Sequence, residues 1–296
     1  MSRRLGFEAA VIAAAFLAAA AVRVIPVGAT PLSSGELKCE TSTGKAQTKF
    51  VASKGKCIQK CESGAAKGKV ASPGDCDPNG GSGVASCITA AVGKAEHAEQ
   101  NKCTGGAAPS GTCPLCYGED NGDPNNAHAG DCVHDSQTRT SDPNNPNSTE
   151  TQVDPFYGII WCDSHGTDPN QADQKKVLKC ENAVSKNASK LVGTLDKCTS
   201  KCLASAARGK SSGHCAPPVD AQSDHKLSSC VSLAKGKNAS AIDKACPSGT
   251  VTCDNGDAIG AALYAGSGVD WSNVVEGRVN AQYSNTYCSP SGAFLE

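Results

Sequence analysis

The stretch Leu37–Cys61, LKCETSTGKAQTKFVASKGKCIQKC, returns as Leu178–Cys202, LKCENAVSKNASKLVGTLDKCTSKC. At an offset of 141 residues, Cys39 falls on Cys180, Cys57 on Cys198 and Cys61 on Cys202. Farther along, Cys87 and Cys103 correspond to Cys230 and Cys246, each pair 16 residues apart, and Cys76 and Cys215 sit between the blocks. A six-cysteine order repeated with such spacing points to an internal duplication.

The spacing within each copy is helical. Cys39, Thr43, Ala46, Phe50, Ser53, Cys57 and Cys61 step by three and four residues, as do Cys180, Val184, Asn187, Leu191, Leu195, Cys198 and Cys202. That places them on one face of a helix, with lysines on the others. Val84, Cys87, Ala91, Ala95, Ala98 and Cys103 form a second such face, and Leu227, Cys230, Ala234, Asn238, Ala241 and Ala245 form its counterpart. Each copy therefore reads as two helices joined by a Gly/Pro/Asp-rich loop.

At about 1.5 Å per residue, Cys39 and Cys57 stand roughly 27 Å apart and Cys87 and Cys103 roughly 24 Å apart, so antiparallel helices bring the rungs level. The expected pairs are nested: Cys39–Cys103, Cys57–Cys87 and Cys61–Cys76, then Cys180–Cys246, Cys198–Cys230 and Cys202–Cys215. Six cysteines allow fifteen connectivities, and the main rival exchanges Cys57 with Cys61. The staples answer a need. The helices carry Gly44, Gly55, Gly93, Gly193 and Gly236, each costing about 0.5–1 kcal/mol relative to Ala. Their facing residues are mostly alanine, so cross-links worth typically 2–4 kcal/mol stand in for core.

The N-terminus has the plan of a secretory signal: Arg3-Arg4, an apolar run from Ala9 to Val22, then Val27-Gly28-Ala29. Cleavage is expected after Ala29. The run falls short of the ~20 residues needed to span a bilayer, which disfavours a retained anchor, and no later stretch could cross a membrane. Eighteen cysteines fit an oxidising compartment, so the expected location is secreted, periplasmic or at the cell surface. The formal charge is −1 but segregated, with lysines on the repeats and acids between them. Without interleaved aromatics or an arginine cluster, nucleic acid is not expected as a partner.

From Thr104 to about Gln171 the composition turns to Gly, Pro, Asn and Asp. Only Asp154–Cys162 is apolar enough for a strand or packed anchor. Cys113, Cys116, Cys132 and Cys162 are expected to close on one another. The tail echoes this insert: Pro109–Thr112 recurs as Pro247–Thr250, and Asp120-Asn121-Gly122-Asp123 as Asp254-Asn255-Gly256-Asp257. In the tail Cys253 is expected to pair with Cys288, Ala258–Tyr264 to form a short helix, and Tyr264, Trp271, Tyr283 and Tyr287 to form a small local core.

The acidic insert is the functional candidate in the sequence. Calcium takes six to eight oxygens from Asp, Asn and carbonyls in loops, and Asp120, Asp123, Asp254 and Asp257 could supply some. Neither segment fits an EF-hand loop. His128, His134 and His165 with Asp131, Asp135 and Asp163 lack the i, i+4 pairing of a helical metal site. Enzyme signatures are absent: no G-x-S-x-G, H-E-x-x-H, P-loop or G-x-G-x-x-G after a strand. The cysteine spacing matches neither saposin-like nor twin CX9C hairpins.

The expected architecture is mainly α: two tandem disulfide-stapled antiparallel helical hairpins, able to pack as a four-helix arrangement, with long irregular cysteine-containing loops. Its parts are a signal peptide (1–29), hairpin 1 (30–103), an acidic loop region (104–172), hairpin 2 (173–246) and a loop and short-helix tail (247–296). The expected function is a non-enzymatic extracellular binding or structural module for an unknown ligand or surface, with recognition on the loops. No cofactor is expected, although calcium is possible. A metal-dependent role in the insert is the alternative, and a secreted hydrolase the third reading.

Overall fold

The computed structural model describes residues 33–70, 73–79, 81–103, 114, 117, 136–145, 148–162, 174–211, 214–253 and 257–287. The expected signal peptide, the six insert residues proposed for metal binding (His128, His134, His165, Asp131, Asp135, Asp163), and Cys113, Cys116, Cys132 and Cys288 lie outside these residues.

The described chain is helical. Helix α1 (Ser34–Ala65) and helix α2 (Ala85–Gln100) form the first hairpin, with a 3-10 turn at Pro73–Cys76 between them. A short helix α3 spans 136–141, and α4 covers Thr149–Ile160. Helices α5 (Gln174–Ala206) and α6 (His225–Ala245) form the second hairpin, followed by α7 (Ala258–Ala265) and α8 (Gly268–Thr286). Helix α1 starts earlier than its cysteines imply, because Ser33 and Glu36 close a capping box that satisfies two orphan N–H groups.

All six nested cross-links of the two hairpins form. Cys39–Cys103, Cys57–Cys87 and Cys61–Cys76 close loops of 64, 30 and 15 residues. Cys180–Cys246, Cys198–Cys230 and Cys202–Cys215 close loops of 66, 32 and 13. The chain-entropy model assigns roughly 3–4 kcal/mol to each of the longer closures. No cysteine among the described residues is free.

The hairpins meet through their first helices. Gly44 lies against Asp196, Thr48 against Gly193 and Gly55 against Ser185, so α1 and α5 run antiparallel. The offset of 141 turns Gly44 into Ser185 and Asp196 into Gly55, so the first and last of these contacts are equivalent to each other. A Cβ on Gly55 would stand 2.5 Å from the Tyr157 hydroxyl, which makes the missing side chain a condition of close approach. The result is a row in the order α2, α1, α5, α6, held by contacts α1–α2, α1–α5 and α5–α6.

A second layer covers one side of this row. Helix α4 packs on α1 and α5, and α8 on α5, α6 and α1. The Tyr157 hydroxyl donates to the Val51 carbonyl at 2.5 Å. The Thr286 hydroxyl donates to Gln47 Oε1 at 2.5 Å, and Asn238 donates to Ser272 Oγ at 2.9 Å. The core runs through Phe156, Tyr157, Val184, Leu191, Leu195, Leu227, Ile242, Trp271 and Val275.

Three expectations need correction. Of the two alternatives for Asp154–Cys162, the packed anchor holds and the strand does not: its first seven residues complete α4, and Phe156, Tyr157, Ile159 and Ile160 bury in the core. Cys162 does not close within the insert, and Cys253 does not pair with Cys288. The two bond to each other, with Cα atoms 4.9 Å apart, because α7 packs on the end of α4 and the Tyr264 hydroxyl donates to the Ile160 carbonyl at 2.6 Å. The tail aromatics are not a local core. Trp271 packs on Tyr264 and on Phe156 of α4, with ring centroids 5.0 and 6.4 Å away, and the 19-residue α8 carries its residues into the main core.

Candidate functional site

Charge is sorted by side on α1 and α5. Every acid of α1 (Glu36, Glu40 and Glu62) is buried, and so is Glu181 of α5. The remaining acid, Asp196, is half-buried, and its Oδ1 accepts the Tyr287 hydroxyl at 2.5 Å. Burial pushes this carboxyl above its ordinary range, against the Tyr287 hydrogen bond and nearby Lys45, which favour the charged form. Apart from Lys54, all lysines of the two helices are exposed. Neither helix carries an exposed carboxylate.

The exposed lysines form stripes. At 3.6 residues per turn, Lys38, Lys45, Lys49, Lys56 and Lys60 fall within a sector of about 60° on α1. Lys67 continues the series in the following turn. The same offset of 141 places Lys179, Lys186, Lys190, Lys197, Lys201 and Arg208 at the corresponding positions along α5. The inward side of α1 looks the other way: Lys54 and Gln47 meet α4 and α8. The stripes therefore lie on the side of the helix row that no described helix covers, opposite the second layer.

Between them runs a groove of about 1000 Å³. Lys38, Lys45 and Lys49 border it from the first half of α1, and Lys197, Lys201 and Arg208 from the last part of α5 and the turn beyond. Its floor combines the small or hydroxylated residues Thr41, Thr48, Gly193, Ser200 and Ala204 with Leu37 and the half-buried Asp196. None of the six cations makes an ion pair with a described residue. Such a surface can hold an anion by Coulomb attraction and by donation from ammonium groups.

Other titratable sites are internal. Lys54 is fully buried, 2.9 Å from Glu150 and in contact with Asp154, both of α4. Burial raises the Asp154 carboxyl to about 6, although Lys54 opposes the shift. Burial also raises Glu99 to about 8, against the Thr140 hydroxyl, which donates to it at 2.6 Å. Beneath the α1–α5 seam lies a small apolar cavity of about 80 Å³, bordered by Val51, Val153, Phe156, Val192, Val275 and Val279.

Of the four aspartates proposed for calcium, Asp257 is described, and its Oδ1 caps α7 by accepting the Ile259 and Gly260 N–H groups at 2.9 and 3.1 Å. Asp120, Asp123 and Asp254 lie outside the described residues. No group of three or more His, Cys, Asp or Glu side chains able to hold a metal ion occurs among the described residues. No described helix is long and apolar enough to cross a membrane. Comparison of the chain with protein-family models, with curated proteins and with solved structures returns no match.

Sequence reasoning missed the cationic face because it treated the lysines as an ordinary solvated surface. The missed signal is the one-to-one recurrence of six cationic positions across the offset, together with the scarcity of acids on the same two helices.

Proposed function

We infer that the protein is a non-catalytic extracellular binding module whose recognition surface is the cationic face of α1 and α5. One observation carries the reading: twelve exposed cations stand on one side of two adjoining helices that have no exposed carboxylate. The stapled hairpins supply the rigidity, and disulfides in this number suit an oxidising compartment. The perturbed carboxylates favour a structural account over a catalytic one, since Glu99 is fully buried and Asp154 is engaged by Lys54. Helix surfaces rather than loops then carry recognition. The calcium reading rests on the sequence of the insert and tail.

The test exploits a mismatch between net and local charge. A chain of formal charge −1 at pH 7 has no overall reason to bind a sulfonate resin. Local segregation predicts that the oxidised protein is retained at low salt and elutes as screening rises. The quadruple substitution Lys45→Gln, Lys49→Gln, Lys197→Gln and Lys201→Gln should abolish retention without changing the melting temperature. Flow-through of the unaltered protein at low salt would remove the proposal.

A further inference from the structure

We propose that this face binds a linear acidic polysaccharide laid along the α1–α5 seam and touching both halves of it. The inference rests on the cationic-face reading above and adds the class of ligand and its pose.

The shape asks for a chain. The stripes run nearly the length of two helices of 32 and 33 residues, roughly 45 Å at 1.5 Å per residue. A compact anion would engage two or three of the cations and leave the rest without counter-charge. Because the helices are antiparallel and their cations recur at one offset, the cations that frame the groove (Lys38, Lys45, Lys49, Lys197, Lys201 and Arg208) are followed toward the opposite end by the exposed Lys56, Lys60 and Lys67 on one helix and Lys179, Lys186 and Lys190 on the other. The surface is one track with two equivalent halves.

The chemistry selects among extended anions. Eleven of the twelve cations are lysines, point charges that suit carboxylate or sulfate groups without demanding a bidentate plane. The threonine, serine, glycine and alanine of the floor admit close approach and offer hydroxyls to a polymer of hydroxyls, while the Asp196 carboxyl beside them is engaged by the Tyr287 hydroxyl. The one aromatic residue of α1 and α5, Phe50, is buried, so these two helices offer no platform for stacking bases. Among the described residues the large exposed apolar side chains are Leu233, Ile259 and Val269, and none belongs to α1 or α5, so these two helices present no wedge to enter a bilayer.

The experiment titrates the full oxidised protein with polygalacturonate oligomers of increasing length, with oligothymidylate of matched length, and with phosphatidylglycerol vesicles. The expected result is binding of the polyuronate with affinity that climbs with length until the oligomer spans the track and then levels off. Binding should weaken at least ~10-fold between 50 and 200 mM salt. Lys45→Gln with Lys49→Gln, and separately Lys186→Gln with Lys190→Gln, should each weaken long oligomers by a similar factor of ~10. The Arg versions of the same pairs should restore binding, and Lys237→Gln with Lys244→Gln on α6 should leave it unchanged. Melting curves and thiol counts establish that each variant is folded.

Affinity independent of length, or sensitivity to one lysine pair alone, overturns the two-half pose. Binding of oligothymidylate or vesicles without binding of polyuronate overturns the ligand class while leaving the cationic face standing. Failure with all three probes, in a protein that sulfonate resin also fails to retain, overturns both.

Discussion

Lys54 and Leu195 stand three residues before Cys57 and Cys198, at equivalent places in the two hairpins, and both are buried. Leu195 joins the apolar core, whereas Lys54 reaches Glu150 and Asp154 of α4. A second such pair lies four residues before the closing cysteines: Glu99 under Thr140, and Ile242 in the core. Between α1 and α2 the first hairpin packs a thin cluster of Ala46, Phe50, Ala91 and Ala95. The second uses Val184, Leu191, Leu195, Leu227, Val231 and Ile242. Yet the sulfur ladders match rung for rung, and so do the outer cations. Where covalent bonds set the spacing of two helices, the residues between them are freed to diverge. What stays alike is the ladder and the side that faces solvent.

The sharpest way to break this comparison is to make the first hairpin resemble the second. Lys54→Leu leaves the buried Asp154 and the half-buried Glu150 without their cation and should cost on the order of 3–5 kcal/mol at pH 7 by denaturant unfolding. Adding Glu150→Gln and Asp154→Asn should recover most of that loss. A single variant as stable as the parent would show the triad to be energetically idle.

The next effect is one of pH. Glu99 is raised from 4.5 to about 8 by burial, so the folded state holds a proton that the unfolded chain gives up. Its contribution to stability is complete below pH 4.5 and is lost as pH rises toward 8. Glu99→Gln keeps the oxygen that Thr140 uses and removes the charge. Relative to the parent it should gain on the order of 2–4 kcal/mol across that interval. Parallel stability curves for the two proteins would contradict the account.

The smallest effects sharpen the contrast between seam and outer helices. Gly55→Ala pushes a methyl into Tyr157 and Ser185 and should cost on the order of 1–3 kcal/mol. Gly236 on α6 faces open space, so Gly236→Ala should stabilise by about 0.5–1 kcal/mol. Equal shifts in melting temperature would erase the distinction.

The cysteines made the hairpins legible: intervals of 18 and 16 residues come level when short-linked helices run antiparallel, and all six expected pairs form. The second layer was harder to read. The apolar richness of Asp154–Cys162 suggested a strand or a packed anchor without deciding between them, although Phe156 and Ile160 stand four apart, as on a helix. In α8 the residues Trp271, Val275, Val279 and Tyr283 also step by four, but the polar residues around them read as tail. The seam was not legible at all. Its contacts are Gly44, Gly55 and Gly193, which cost helix stability in isolation and repay it only when another helix lies within reach. Without the seam, the lysines of α1 and α5 could not be placed side by side.

The bond between Cys162 and Cys253 has a practical corollary for handling this protein. A protease that severs the backbone anywhere between residues 163 and 173 would leave two pieces still clasped to each other through sulfur, the first hairpin with α4 on one and the second hairpin with α7 and α8 on the other. Nicked material would migrate as an intact molecule on a gel until reductant is added, so damage of that kind stays hidden from any assay run under oxidising conditions.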